Sequence, residues 1–142
     1  MTIAAILQTK GHEVIQLGSD VTLKDAVALL VERRIGCVPV VDGGAVVGIF
    51  SERDVVRAVG AGNADVLQQP VSSVMTGPAV TITPDLPVMT ALSLMTKRRI
   101  RHLPVMDGDK MTGFVSIGDL VKYRIDKIEA EASAMRDYIQ GA

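Results

Sequence analysis

Hydrophobic and polar positions along this chain follow the same pattern twice. Short apolar stretches at 14–17 and 79–82 predict strands. After each stretch, apolar residues recur at i, i+3, i+4 and i+7, which predicts helices that begin near Leu23 and Val88. Two more apolar stretches separated by an Asp-Gly turn then predict a hairpin, and a last helix begins at a serine. Each half therefore has the predicted order β-α-β-β-α.

The two halves align with each other without an insertion or a deletion. When residues 14–57 are laid over residues 79–122, fourteen of the 44 pairs are identical, where unrelated sequences would give about three. This similarity indicates an internal duplication. Because one such unit is too small to bury a core by itself, we predict an α/β (α+β) fold. Its two β-α-β-β-α units are related by a pseudo-twofold axis and share one core.

A polar, glycine-containing segment separates the two predicted units. We assign residues 1–62 to the first unit with its N-terminal segment, 63–76 to a linker, 77–125 to the second unit and 126–142 to an extended C-terminal helix. Apolar residues along this helix are spaced as a heptad seam: Val121, Ile125, Ile128, Ala132, Met135 and Ile139. The seam can pack on its own domain or on another chain, and we expect a homodimer contact.

The motif G-x-x-S-x-x-D occurs at the same strand-to-helix junction in both halves, at 48–54 and 113–119. A serine followed three residues later by an aspartate is typical of a helix N-cap, so a capping box explains either copy by itself. The same groups can also bind a ligand, because a carboxylate accepts both hydroxyls of a ribose and helix N-terminal amides suit an anion. The motif alone leaves both interpretations open.

A Pro-Val strand, an Asp-Gly turn and the G-x-x-S-x-x-D motif, in that order and twice, resemble a pair of CBS (cystathionine-β-synthase-type) domains, also called a Bateman module. The resemblance covers about residues 13–125. It implies two clefts between the units that bind AMP, ADP, ATP, NAD(H) or S-adenosylmethionine. It also implies that the motif aspartate contacts the ribose, that the serine lies near the ribose or phosphate, and that the preceding strand lines the base pocket.

The resemblance assigns site residues to each cleft. The second-copy cleft would contain Asp119, Ser116, Phe114, Arg101 and His102, completed by Gly18 and Ser19 of the first copy. The first-copy cleft would contain Asp54, Ser51 and Ile49, completed by Thr83. We expect the second cleft to bind more tightly, because Arg101 can donate charge-assisted hydrogen bonds to phosphate and its counterpart Gly36 cannot. AMP is the ligand expected first, with ADP, ATP or NADH as alternatives.

Composition and charge narrow the function classes. A net charge of -1 disfavours a surface that binds nucleic acid by neutralising phosphates. The single cysteine, Cys37, and two histidines without ligand spacing predict neither a disulfide nor a metal site. The Arg-Arg pairs at 33–34 and 98–99 are predicted to cap helix C-termini. No leader or membrane-spanning pattern is visible, which predicts a soluble cytoplasmic protein.

No nucleophile paired with a base and no carboxylate pair in a substrate pocket is apparent, so we do not predict an enzyme. We expect a non-catalytic regulatory module that reports energy or redox state to a separate protein of unknown identity. The alternative is a protein-interaction or nucleic-acid-binding module whose clefts are non-functional.

Overall fold

The computed structural model describes residues 1–62 and 64–141. Its helices are α1 (Ile3–Lys10), α2 (Leu23–Arg33), α3 (Glu52–Gly60), α4 (Val88–Arg98) and α5 (Ile117–Gly141). Its strands are β1 (Leu17–Gly18), β2 (Cys37–Asp42), β3 (Ala45–Ser51), β4 (His102–Asp107) and β5 (Lys110–Ser116). Two single-turn 3-10 helices, Val66–Gln68 and Val71–Ser73, lie in the segment between the units. The mixed α and β architecture agrees with the predicted fold class.

Each unit is built around an antiparallel hairpin at the predicted position. β2 pairs with β3 from Cys37 opposite Ser51 to the turn, and β4 pairs with β5 from His102 opposite Ser116. The strand predicted before α2 is shorter than expected, because only two residues of β1 pair with β2. In the second half it is reduced to one bridge, between Ile82 and Val105.

Each unit is completed by the segment that precedes the other unit. Ile3 and Leu7 of α1 are buried in the core of the second unit, whereas Val66 and Val71 of the linker are buried in the core of the first. The backbone also ties α1 to the second unit, because the Ile3 amide donates to the Leu86 carbonyl at 2.9 Å. We predicted that the N-terminal segment belongs to the first unit, but its helix α1 packs against the second unit.

The buried residues form two clusters, whereas one shared core was predicted. Phe50 is the largest fully buried side chain and lies in the first cluster, while Met95 and Leu103 lie in the second. The positions of α1 and the linker explain the difference. Each hairpin is covered by the helices of its own unit and by one of these two segments, and together they bury one face of the hairpin in a separate core.

The C-terminal helix α5 leaves the body of the protein after its first turns. Leu120 is fully buried in the second cluster, but almost every residue from 129 to 141 is exposed. All described residues of the predicted heptad seam are exposed to solvent, including Ile125 at 48% and Ile139 at 66%. The seam therefore does not pack on its own domain.

Candidate functional site

A cavity of about 680 Å³ lies between the two units. The first unit contributes the start of β2 and the junction of β3 with α3, and the second contributes the end of α4 and the start of β4. Its lining includes Gly36, Cys37, Ile49, Ser51, Asp54, Thr76, Pro78, Ala79, Val80 and the segment from Arg98 to His102. The cavity therefore contains the first copy of the repeated motif and the basic segment of the second copy.

Asp54 is held rigidly at the edge of this cavity. Only 2% of the surface of Asp54 is exposed to solvent. The Oδ2 atom accepts from the Ser51 amide at 2.9 Å and from the Ser51 hydroxyl at 3.2 Å, and Oδ1 accepts from the Thr76 hydroxyl at 2.9 Å. The predicted capping box is thus present, and it stabilises the N-terminus of α3 while it orients the carboxylate.

The remaining partner of Asp54 is the side chain of Arg57. Arg57, one turn further along α3, donates to Asp54 Oδ1 at 3.3 Å, and its side chain is 66% exposed. A long, exposed guanidinium at this distance is held weakly and can move at little energetic cost. Arg57 makes the longest of the hydrogen bonds to the carboxylate, so we expect a ligand to displace it first.

Asp119 has a different environment from Asp54. It forms the same reciprocal cap, because the Ser116 amide donates to Asp119 Oδ2 at 2.8 Å and the Asp119 amide donates to the Ser116 hydroxyl at 3.1 Å. In addition, the Lys10 ammonium of α1 donates to Asp119 Oδ2 at 2.6 Å. Partial burial of Asp119 opposes ionisation, but the hydrogen bonds from Lys10 and Ser116 outweigh it and lower the pKa of the carboxyl below its usual value.

Lys10 also reaches the strand that precedes the second motif. Its ammonium donates to the Phe114 carbonyl at 2.6 Å. In the first unit the corresponding contacts come from Thr76, whose amide donates to the Ile49 carbonyl at 2.9 Å and whose hydroxyl donates to Asp54. The second motif thus meets a charged ammonium where the first meets an amide and a hydroxyl. Sequence reasoning did not identify either Lys10 or Thr76.

Arg101 and His102 line the cavity that contains Asp54. The prediction grouped them with Asp119 and Ser116. His102 in fact lies between the two motifs, because it also pairs with Ser116 across the hairpin and stacks on Phe114 with ring centroids 5.5 Å apart. Burial, with further contributions from the nearby charges of Lys10 and Arg101, lowers the pKa of His102, while Asp119 acts in the opposite direction.

Thr83, which was predicted to complete the first-copy cleft, does not line this cavity, and neither do Gly18 and Ser19, which were predicted for the second-copy cleft. Thr83 hydrogen-bonds to Asp85 in a turn, and the cavity is instead bordered by Pro78, Ala79 and Val80, a few residues earlier. Gly18 pairs with Val41 in the sheet, and the Ser19 amide donates to the Val41 carbonyl.

The cavity is rich in arginine, which the sequence analysis did not anticipate. Arg98 and Arg99 line it, although the Arg-Arg pair was interpreted only as a helix cap. The cap is also real, because Arg99 ends α4 in a left-handed conformation with φ of 55°. Arg98, Arg99 and Arg101 all belong to the second unit. Arg53 and Arg57 of α3 line the opposite side.

Cys37 is buried, and desolvation, with a smaller contribution from Asp54, raises the pKa of its thiol to about 12. A thiol with so high a pKa is a poor nucleophile and a poor metal ligand at neutral pH.

Within residues 1–62 and 64–141, no group of three or more His, Cys, Asp and Glu side chains could hold a metal ion. No helix in the described part of the chain is long and apolar enough to cross a membrane.

Comparison with known proteins agrees with this architecture. The CBS domain profile matches residues 7–61 and 71–126. The mitochondrial CBS domain-containing protein CBSX3 of Arabidopsis thaliana is 34% identical over 149 aligned positions, which cover 99% of this chain and 72% of that protein.

Two solved structures share the fold closely. The CBS-domain containing protein ATU1752 from Agrobacterium tumefaciens has a TM-score of 0.82 and 39% identity, over 87% of this chain and 99% of that one. The CBS domain pair of MJ0100, crystallised with 5'-methylthioadenosine and S-adenosyl-L-methionine, has a TM-score of 0.78 and 25% identity, over 89% of this chain and 98% of that one. The chain therefore belongs to the CBS domain family and contains two such domains in tandem.

Proposed function

We propose that this protein is a non-catalytic regulatory module that binds an adenine nucleotide in the cavity between Asp54 and Arg101. The observation that carries the proposal is the convergence of a capped helix N-terminus from one unit and an arginine-rich segment from the other on one cavity. A carboxylate suits a ribose, and guanidinium groups suit phosphate. The two ends of a nucleotide thus find complementary groups on opposite sides of the cavity.

In this proposal, Asp54 accepts the two ribose hydroxyls after the exposed Arg57 side chain moves aside. Ser51 lies beside the ribose, and Ile49 contacts the base. Arg101 donates to the phosphate, with the neutral ring of His102 next to it. The volume of about 680 Å³ is within the range typical of ligand pockets.

A second site would use Asp119, Ser116 and Phe114, with Gly18 and Ser19 as the groups expected from the other copy. There a ribose has to share or displace the Lys10 ammonium, which holds Asp119 Oδ2 at 2.6 Å. We therefore propose that the first-copy cleft fills before the second, which reverses the order expected from the sequence.

The relatives support an adenosine-containing ligand. The MJ0100 pair, which shares 25% identity with this chain, was crystallised with two adenosine derivatives. Binding between two units can change their relative position, and a regulated protein responds if the nucleotide prefers one arrangement. We propose that AMP, ADP, ATP or NADH is the signal and that a separate protein reads it.

Binding assays on two motif variants test the proposal. We expect AMP, ATP or NADH to bind the full chain in isothermal titration calorimetry, and a short RNA not to bind. Asp54→Asn and Arg101→Ala should each weaken binding by about tenfold or more, since each removes a charged partner. Asp119→Asn is the matched control and should have a much smaller effect.

Circular dichroism will show whether each variant folds, and Arg101→Ala removes only an exposed side chain. Loss of binding in Asp119→Asn with none in Arg101→Ala would contradict the assignment to the Asp54 cavity. Binding of RNA but of no nucleotide would favour the interaction module with non-functional clefts.

We further propose that two copies of the chain form a homodimer through the exposed seam of α5. The charges on this helix are complementary when two copies run antiparallel. Residues 120–128 carry three cations and one anion, whereas residues 129–141 carry three anions and one cation. An antiparallel pair places each basic half against an acidic half while it buries the apolar seam.

A further inference from the structure

We infer that this cavity selects an adenine nucleotide with two or three phosphates over AMP, and that it discriminates against S-adenosylmethionine. The inference rests on the proposed function and adds the charge class of the ligand. Five arginines line the cavity, namely Arg53, Arg57, Arg98, Arg99 and Arg101, against two carboxylates, Glu52 and Asp54. Each further phosphate adds negative charge to a nucleotide, so ADP and ATP balance this excess better than AMP does.

The excess positive charge is not neutralised within the chain. Arg57 is the arginine that pairs with Asp54. Within residues 1–62 and 64–141, the side chains of the other four cavity arginines form neither an ion pair nor a hydrogen bond. Like charges that converge on one concave surface raise the local positive potential, which concentrates anions there.

The fold, rather than an internal partner, holds the arginines at the cavity. Arg98 ends α4, and Arg99 follows it as the C-cap, with its amide donating to the Met95 carbonyl. Arg33 and Arg34 occupy the same backbone positions at the end of α2, where Arg34 has φ of 54°. Neither of these two lines the cavity. The repeat thus provides a pair of arginines with the same local structure that lies outside the proposed site.

The two units differ at one pair of equivalent positions that line the cavity. Gly36 and Cys37 occupy the positions that Arg101 and His102 occupy in the second unit, and all four line the cavity. A Cβ atom at Gly36 would lie 3.2 Å from Glu52 Oε1, so any side chain there would press on that carboxylate. The second unit therefore contributes Arg98, Arg99 and Arg101 to the cavity, while the first unit contributes Arg53 and Arg57 together with the carboxylates of Glu52 and Asp54.

A positively charged sulfonium has no favourable partner in this part of the cavity, because the arginines repel it. The adenosine part of S-adenosylmethionine can still use the Asp54 end. S-adenosylmethionine should accordingly have the lowest affinity of the adenosine ligands. Added salt should strengthen its binding by screening this repulsion, whereas it should weaken the binding of ATP.

Calorimetry on the full chain tests the inference directly. ATP, ADP, AMP and S-adenosylmethionine are titrated in EDTA, so that magnesium does not mask the phosphate charge, at low and at high sodium chloride. We expect ATP to bind at least about tenfold more tightly than AMP, and the difference to shrink at high salt. The variant Arg98→Ala/Arg99→Ala should reduce the ratio of ATP to AMP affinity, whereas Arg33→Ala/Arg34→Ala should leave it unchanged.

The outcomes separate this inference from the proposed function. If AMP binds as tightly as ATP, or S-adenosylmethionine binds more tightly than either, the charge-selection inference fails although the module still binds an adenosine ligand. If both double variants lower the ratio equally, the arginines act through general charge and the inference also fails. If none of the four ligands binds, the proposed function itself is wrong.

Discussion

The ammonium of Lys10 lies 2.6 Å from the carboxylate of Asp119, a residue that is 109 positions away in the sequence. This ion pair connects the first helix of the chain to the N-terminus of its last helix. It also distinguishes the two copies of the repeated motif, because Asp54 is contacted by Arg57 of its own helix and by the neutral hydroxyl of Thr76, whereas the cation at Asp119 comes from the distant helix α1. The asymmetry between the two clefts thus depends on α1 as well as on the repeat itself.

Replacement of Lys10 by methionine should destabilise the protein modestly. The pair is partly exposed, so we expect the free energy of unfolding to fall by about 0.5–1 kcal/mol in urea denaturation at pH 7. The Lys10 contact lowers the pKa of folded Asp119. The stability that it contributes is therefore present above the unfolded pKa of the carboxyl, and it is lost as the pH falls through the lower folded pKa.

The difference between the wild type and Lys10→Met should therefore disappear in strong acid. Lys24→Met, which changes an exposed lysine on α2, is the control and should leave the stability nearly unchanged at both pH values. A Lys10→Met effect that persists unchanged below pH ~2 would mean that the loss comes from packing and not from the ion pair.

The ring of His102 should titrate below its ordinary pKa of 6.5 because it is partly buried and lies near Lys10 and Arg101. The unfolded chain binds this proton at a higher pH than the folded chain, so the free energy of unfolding should decrease as the pH falls below 6.5. NMR titration of the ring carbon resonance measures the midpoint directly.

Two variants should move the His102 midpoint in opposite directions. Lys10→Met removes a cation and should raise the midpoint, whereas Asp119→Asn removes an anion and should lower it further. Shifts in the same direction for both variants would show that a change of structure, and not charge, governs the ring.

The glycine of each motif is required by the close approach of another segment. A Cβ atom at Gly48 would lie 2.8 Å from the Thr76 carbonyl oxygen, whereas a Cβ atom at Gly113 would meet the end of the Leu7 side chain at 2.5 Å. A side-chain end can shift more readily than a backbone carbonyl. We therefore expect Gly48→Ala to cost about 1–3 kcal/mol of stability and Gly113→Ala to cost less.

Gly60→Ala is the control for these two variants. No atom lies within 4 Å of a Cβ added at Gly60, the last residue of α3. In a helix this change should stabilise the protein, by up to about 1 kcal/mol. Urea denaturation of all three variants would reject the close-approach argument if Gly48→Ala were as stable as Gly60→Ala.

The seam on α5 should determine the oligomeric state. Ile128→Glu places a charge in the middle of the proposed contact, and we expect light scattering to report a monomer at a concentration at which the wild type is dimeric. Ala130→Glu adds the same charge to an exposed position on the other face and should leave the dimer intact. A dimer that survives both Ile128→Glu and deletion of residues 127–142 would have to use another surface.

Much of the local structure was predictable from the sequence. The duplication, the two hairpins, the helices at Leu23 and Val88, and the capped helix starts at Ser51 and Ser116 all appear where the pattern placed them. These features depend on residues that are close together in the sequence. Alternating apolar residues, Asp-Gly turns and N-cap side chains act within a few positions, so their effect can be read without knowing the rest of the fold.

The tertiary structure decided the features that depend on distant segments. It placed α1 on the second unit, brought Lys10 to Asp119, and brought the Arg98–Arg99 pair and Arg101 to the cavity that contains Asp54. The repeat makes the two halves nearly equivalent, so periodicity cannot tell which unit a flanking helix will cover. That choice is made by the burial of Ile3 and Leu7 and by backbone hydrogen bonds to the second unit, which no local pattern specifies.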